Sequence, residues 1–226
     1  MKYPISFDIE LLKNPHPGLY IALEGIDGAG KTTQAQDLKK YFESKGKTVV
    51  TTREPRKEGI LGELTHQILT AKVKFPPEAI QYLFSADRVI HHAQIVKPAL
   101  ARGEVVITDR CFWSAIVYGV MDKMGDDYNE DSVEQLLVAQ GILSMYHQFI
   151  VPDRSFYLKI SVDESLKRIS GKAEREIYET RGKIQKAYDG YEWVHEKFKD
   201  QITVLDGEVD EKQVTKDIIK SLEEAK

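Results

Sequence analysis

The stretch Gly25-Ile26-Asp27-Gly28-Ala29-Gly30-Lys31-Thr32 has the spacing G-x-x-x-x-G-K-[ST]. Its glycines let the backbone curl so that N–H groups point inward and can surround phosphate oxygens. The lysine then reaches the outer phosphates of a nucleotide, and the Thr32 hydroxyl offers a hard oxygen ligand for Mg2+. A second metal ligand is expected from Asp109, which ends the apolar run Val105-Val106-Ile107-Thr108 as a carboxylate at a strand tip. Many strands end in Asp for turn chemistry alone, so that assignment leans on the glycine-rich loop.

Such a loop works between a buried strand and a helix N-terminus, whose dipole adds positive potential. Leu19 to Glu24 reads as that strand, and Ala35, Leu38 and Phe42 recur at helical spacing until Gly46 stops the helix. Lys47 to Thr52, Glu104 to Thr108, Ser155 to Ile160 and Ile202 to Leu205 read as further strands. Pro76-Pro77 opens a helix expected to run to about Val96, because Pro98 disfavours helix at the residue before it. Val214, Ile218 and Leu222 stripe a last helix. Strands alternating with helices imply right-handed crossovers. The expected fold is therefore α/β, a three-layer P-loop sandwich whose five-stranded, mostly parallel sheet carries helices on both faces. Ligands of such sheets sit beyond the carboxyl ends of the strands, where the loop and Asp109 fall. Residues 1–17, with prolines at 4, 15 and 17, read as an extension outside the fold, and 18–226 as a single domain.

Composition narrows the partners. The 226 residues are 42% hydrophobic and 30% charged, ordinary for a globular protein. A net charge of −4 argues against nucleic acid or a membrane surface, since affinity for phosphate polymers comes from basic patches. The one cysteine, Cys111, rules out an intrachain disulfide and a thiolate zinc cage, and points to a reducing cytoplasm. No apolar run approaches the roughly 18 residues of a membrane span.

A GTP-driven switch would need D-x-x-G at a strand end and an N-K-x-D guanine reader. Asp122-Lys123-Met124-Gly125 matches the first by letter but follows a helical segment, and the second motif does not occur. In chain order, several other stretches line up. They are Glu24 to Thr33 with its internal Asp27, Arg53-Glu54-Pro55, and Leu83-Phe84-Ser85-Ala86-Asp87-Arg88. Asp109-Arg110 with Ser114 and Tyr118 follows, then Pro152-Asp153 before Phe156-Tyr157-Leu158. Together they resemble the thymidylate kinase family from Leu19 to roughly the C-terminus.

The resemblance implies transfer of the γ-phosphate of ATP, with Mg2+, to the 5′-phosphate of dTMP, giving dTDP and ADP. Gly25, Gly28, Ala29, Gly30, Lys31, Thr32 and Thr33 would hold ATP. Asp27, Arg53, Phe84, Arg88, Arg110, Ser114 and Tyr118 would hold dTMP. Spacing supports part of this. Phe84, Arg88 and His92 lie four apart and share a helix face, where a ring can stack on a pyrimidine and a guanidinium can donate to a base oxygen. The alternative is a core phenylalanine beside a solvated arginine. Arg53 and Arg110 leave different strand ends and could converge on an acceptor phosphate. Tyr118 would crowd the 2′ position of the sugar or serve as a core residue. Asp27 would orient the acceptor sugar or a metal-bound water.

The charged stretch that begins at Arg168 would include a lid at about 170–182 that excludes water during transfer. The glycine-rich loop has Ala29 and no arginine in its variable positions. By the resemblance, a lid arginine then joins Lys31, Asp27 and Arg110 in the chemistry. Arg175 is the first choice, with Lys172 and Arg181 as alternates. The sequence departs from the family pattern at Cys111, where an aromatic residue is usual, at Arg56-Lys57 in place of paired glycines, and at Gly119 in place of glutamine. These bear on base selection and leave the phosphate chemistry intact. Two other readings stay open: a P-loop kinase for another nucleotide or nucleoside, with Glu24 as the base a nucleoside would require, and a nucleotide-binding regulator without turnover. The resemblance also implies a homodimer formed through helices.

Overall fold

The computed structural model describes residues 10–124, 133–146 and 148–224. Strand β1 (Leu19–Glu24) leads to α1 (Lys31–Ser44), and β2 (Val49–Arg53) to α2 (Gly59–Leu69) and α3 (Pro77–His91). A π turn at His92–Val96 joins α3 to α4 (Lys97–Ala101). Strand β3 (Val105–Asp109) precedes α5 (Phe112–Met124) and α6 (Val133–Tyr146). Strand β4 (Arg154–Lys159) precedes α7 (Val162–Ile169) and α8 (Arg181–Lys197), and β5 (Ile202–Asp206) precedes α9 (Glu211–Glu224).

The sheet has the order β2-β3-β1-β4-β5, and every neighbouring pair is parallel. After β1 the chain builds β2 and β3 on one side, then crosses to build β4 and β5 on the other. A crevice therefore opens at the carboxyl end of β1, where the glycine-rich loop begins. Register makes the neighbouring tips level, since Asp109 pairs with Leu23 on one side and with Arg53 on the other. Alternation along the strands divides the core. Tyr20, Val50 and Val106 face the π turn and α4, while Ile21, Leu23, Val105 and Ile107 join the larger cluster with Leu38 of α1.

The long helix does not stop before Pro98. Lys97 is α-helical and donates its N–H to the carbonyl of His92, five residues back. This wider turn makes room for the proline ring, which in a regular α-turn would meet the carbonyl four residues earlier. His92, expected beside Phe84 and Arg88, keeps the regular helical bond from its N–H to the carbonyl of Arg88, and its Nε2 lies 3.7 Å from Glu54 Oε1. Its ring is buried against Phe149 at 4.7 Å and Tyr20 at 6.0 Å, away from the crevice.

Within the stretch read as an extension, residues 1–9 lie outside the described part, and 10–17 contact the domain. Leu12 forms a bridge with Ile150, and Asn14 Nδ2 donates to Asp153 Oδ2 at 2.8 Å. The same oxygen of Asp153 accepts from Tyr20 N, so Pro152-Asp153 anchors the start of β1. Of the switch-like motif, Gly125 also lies outside the described residues.

Candidate active site

Gly25, Gly28 and Gly30 have φ of 139°, 80° and 90°, in the left-handed region open to glycine. At Gly28 a side chain would also meet Arg168 Cβ and Ser165 O at 3.2 Å, because the loop packs against α7. Gly30 caps α1, so the turn delivers a helix N-terminus to the crevice. Lys31 starts that helix and is 6% exposed, its Nζ donating to the carbonyls of Gly25 and Ile26 at 3.0 Å. Burial, with Arg110 nearby, lowers its pKa to about 8. A polyphosphate beside this ammonium would favour its charged form.

Thr32 Oγ1 donates to Asp109 Oδ2 at 2.5 Å, so the two expected metal ligands are adjacent. A hydroxyl and a carboxylate at the phosphate cradle form the kind of hard-oxygen set that suits Mg2+ completed by phosphate oxygens. This donor set fits the cation.

Arg110 follows β3 with φ of 74°, a conformation sparsely populated by residues other than glycine. Its N–H donates to Leu23 O at 2.9 Å, and Thr108 Oγ1 donates to Arg110 O at 2.7 Å. The twist turns the guanidinium toward the loop. Nη2 donates to Asp27 Oδ1 at 2.6 Å, and Nη1 to Gly25 O at 2.9 Å and Tyr191 Oη at 2.7 Å. Burial alone would raise the pKa of Asp27, but Arg110 and Lys31 outweigh it and hold the carboxyl below its usual range. The Arg110 guanidinium also lies 5.1 Å from the centre of the Tyr118 ring.

Arg88 and Glu54 form a second buried arrangement. Arg88 Nε donates to Glu54 Oε2, and its guanidinium sits 4.9 Å over the ring of Tyr146. Glu54 Oε1 is 2.9 Å from His91 Nδ1, and His91 Nε2 is 2.7 Å from Thr52 Oγ1. Burial opposes the charge on Glu54, yet Arg88 and His91 hold its pKa at about 2. Arg88 Nη1 and Arg53 Nε are buried without a protein partner. Both arginines line the same cleft. Donors left over in such a place are suited to a ligand's acceptors.

That cleft encloses about 510 Å3. It gathers Asp27, Gly28, Gly30, Lys31, Thr32, Thr33, Arg53, Phe84, Arg88, Asp109, Arg110, Ser114 and Tyr118 of the expected site. Gly25 and Ala29 shape the loop without lining this cleft, and Ala29 borders a neighbouring one. Phe84 is both core and wall, 9% exposed and packed in a cluster with Ile68, Leu69, Ile80, Met121 and Tyr178. Tyr118 packs against that cluster too, so both of its readings hold in part. Glu24 has no freedom to act as a base. Its oxygens accept from Cys111 N at 2.8 Å, Ser114 Oγ at 2.6 Å and Tyr191 Oη at 2.9 Å, and it does not line the cleft.

Of the stretch expected to form a lid, Lys172, Glu176 and Tyr178 reach the cleft, whereas Arg175 is exposed outside it. Arg181 has become the first residue of α8 and pairs with Asp163. Arg168 on α7 lines the cleft as well, donating to Gly28 O at 3.2 Å and Gly207 O at 3.1 Å. It also borders the neighbouring cleft of about 310 Å3 between the loop and the β5–α9 turn, lined by Gly28 to Gly30, Thr33, Gln34, Gly207, Val209 and Glu211. Nothing in the sequence pointed to Tyr191, which is 81 residues from its partner Arg110. Glu54 was legible as part of Arg53-Glu54-Pro55, though its hold on Arg88 was not.

A parallel sheet of this order, with a phosphate loop at its switch point and arginines from neighbouring strand tips in one cleft, defines a P-loop nucleotide kinase fold. The profile of the family described as thymidylate kinase matches residues 23–218. The chain is 35% identical over 209 residues to the thymidylate kinase of Sulfurihydrogenibium sp., covering 92% of this chain and 98% of that protein. It is 39% identical over 160 residues to a probable thymidylate kinase of Pyrococcus horikoshii, covering 67% and 70%. The solved structure of thymidylate kinase from Candida albicans superposes with a TM-score of 0.76 at 25% identity, covering 92% of each chain. This chain belongs to the thymidylate kinase family.

Proposed function

We propose that the protein transfers the γ-phosphate of MgATP to the 5′-phosphate of dTMP. The observation that carries this reading is the meeting, in one cleft, of the Lys31 loop with Arg53 and Arg110 from the facing strand ends. One half suits a triphosphate and the other a monophosphate. Phe84, Arg88 and Tyr118 supply the ring, donor and wall that a pyrimidine nucleoside needs. The donor's base would occupy the neighbouring cleft beside Arg168, and Mg2+ would be held by Thr32 and Asp109.

In the transfer, an oxygen of the acceptor phosphate forms a bond to the γ-phosphorus as the bond to the β,γ-bridging oxygen breaks, with the two oxygens in line. The acceptor is already an anion, so no side chain must remove a proton, in keeping with the fully occupied Glu24. When bound, Mg2+ would neutralise phosphate charge. Lys31 would follow the charge developing on the transferred group, and Arg110, held by Asp27 and Tyr191, would align the acceptor. Lys172 takes the part expected of Arg175, because it already lines the cleft and pairs with Glu179 inside the lid at about 170–182.

Ile60, Tyr82 and Val89, which are 87%, 65% and 42% exposed on α2 and α3, support a homodimer through those helices. Sedimentation at two concentrations tests it. No helix among the described residues is long and apolar enough to cross a membrane. A buried, lone Cys111 supports a cytoplasmic location. The test of function is incubation with MgATP and, separately, dTMP, dUMP, dCMP, UMP and thymidine. dTDP is expected as the main product; preferential phosphorylation of thymidine or a ribonucleotide would overturn the reading.

A further inference from the structure

Asp122, matched by letter to a switch motif, has other surroundings in the structure. It lies on α5, and its two carboxylate oxygens are 2.9 and 2.7 Å from the donating hydroxyl of Tyr178. Gln81 Nε2 of α3 donates to Oδ2 at 3.4 Å. Tyr178 sits in the lid between α7 and α8, Asp122 stands on the helix that carries Tyr118, and the two tyrosine rings meet at 5.0 Å. Both rings line the cleft, and Asp122 does not. One residue earlier the lid is tied again, as Ile177 N donates to Leu69 O at 2.8 Å at the end of α2. Glu174 adds exposed contacts to Lys72 and His66, which contribute little, and the Tyr178 ring itself packs with Ile68, Leu69, Ile80, Phe84 and Met121.

We propose that Asp122 is a positioning residue: by holding the Tyr178 hydroxyl it pins the lid to α5 and fixes the Tyr178 ring beside Tyr118 at the acceptor end of the cleft. This rests on the reading of that end as the site of dTMP. The groups facing the carboxylate are Tyr178 from the lid, Gln81 from α3 and Lys183 from α8, whose ammonium lies 5.4 Å over the Tyr178 ring. Burial raises the pKa of Asp122 to about 6, against the pull of Tyr178, Gln81 and Lys183. Above that pH the ionised carboxylate accepts a charge-assisted bond from the phenol, and below it the bond weakens.

Three variants test the proposal. Tyr178→Phe deletes the hydroxyl and keeps the ring, Asp122→Ala deletes the acceptor, and Asp122→Asn keeps its size. Loss of a hydrogen bond to a charged group should raise the KM for dTMP about tenfold in Asp122→Ala and Tyr178→Phe, with kcat and the KM for ATP nearly constant. The double variant should be no worse than either single one, since both remove the same bond. Asp122→Asn should show a smaller rise, and its KM ratio to the wild type should shrink toward one as pH falls through about 6. That ratio cancels the titration of the substrate's own phosphate. Independently of any substrate, trypsin should cut the lid at exposed Arg175 several-fold faster in Asp122→Ala. Unchanged cleavage would overturn the latch. Faster cleavage with an unchanged KM for dTMP would overturn the assignment of that end to the acceptor and, with it, the positioning role. Additive effects in the double variant, or kcat falling together with melting temperature, would reduce Asp122 to a structural residue and likewise overturn it.

Discussion

Replacing Glu54 with Gln tests the buried pair on which the acceptor side depends. The Glu54 and Arg88 side chains are 1% and 5% exposed, so solvent screens their attraction little. Glu54→Gln keeps the shape and leaves the Arg88 charge without its counterion. Removing one partner of such a pair costs about 3–5 kcal/mol. A carboxyl held at about 2 instead of 4.5 gives a similar figure, about 3 kcal/mol, at about 1.4 kcal/mol per pH unit. Because the folded-state pKa is the lower one, this stability is fully present above about pH 4.5 and is lost as pH falls toward 2. Urea unfolding of the wild type and Glu54→Gln, at neutral pH and near pH 3, reads both the size and the direction. The expected gap is about 3 kcal/mol at neutral pH, narrowing in acid as the unfolded wild type takes up a proton that folded Glu54 still refuses. Released from Glu54, Arg88 should also bind dTMP less well. A gap under about 1 kcal/mol at neutral pH, or one that stays constant into acid, would refute the assignment of the pair as a stabilising ionised contact.

Lys31→Ala should lower kcat by about 10²–10³-fold with an unchanged melting temperature, and a smaller loss of turnover would argue against its place on the transferred phosphate. ATP affinity of the wild type should weaken above pH 8, as the ammonium that burial holds at about 8 loses its proton, and Lys31→Ala should lack this dependence. Phe84→Ala should cost about 3–5 kcal/mol of stability as a buried wall residue and raise the KM for dTMP more than it lowers kcat. Asp109→Asn should shift the Mg2+ concentration for half-maximal activity upward while sparing the melting temperature, and an unchanged Mg2+ profile would remove Asp109 from the metal site.

Contiguous spelling made the loop legible in the sequence. Gly25 to Thr32 carry their conformational demands locally, and a strand of apolar residues ending in Asp109 reads without its neighbours. The parallel sheet followed in the same way, from strands and helices in alternation. The course of the helix past Pro98 did not, because a π turn depends on which carbonyl the next N–H finds, and the packing of the His92 ring against Tyr20 and Phe149 is set by segments distant in the sequence. Arg175 was favoured because, by the resemblance, a loop lacking a basic residue is accompanied by an arginine in the covering segment, while Lys172 reaches the cleft because Glu179 and the docking of Ile177 and Tyr178 set the path of that segment.

The sequence by itself determined the chemistry available: a phosphate loop, a hydroxyl and a carboxylate of the kind that suits a metal, and arginines at strand tips. Only the tertiary structure decided which groups were free to use it. Glu24 is consumed by Cys111, Ser114 and Tyr191, Glu54 is committed to Arg88, and Asp122 holds the hydroxyl of Tyr178. Each of these carboxylates takes partners from distant segments. A side chain's identity fixes what it can donate or accept, but its neighbours in three dimensions fix its charge, its direction and whether it still has a free hydrogen bond to offer.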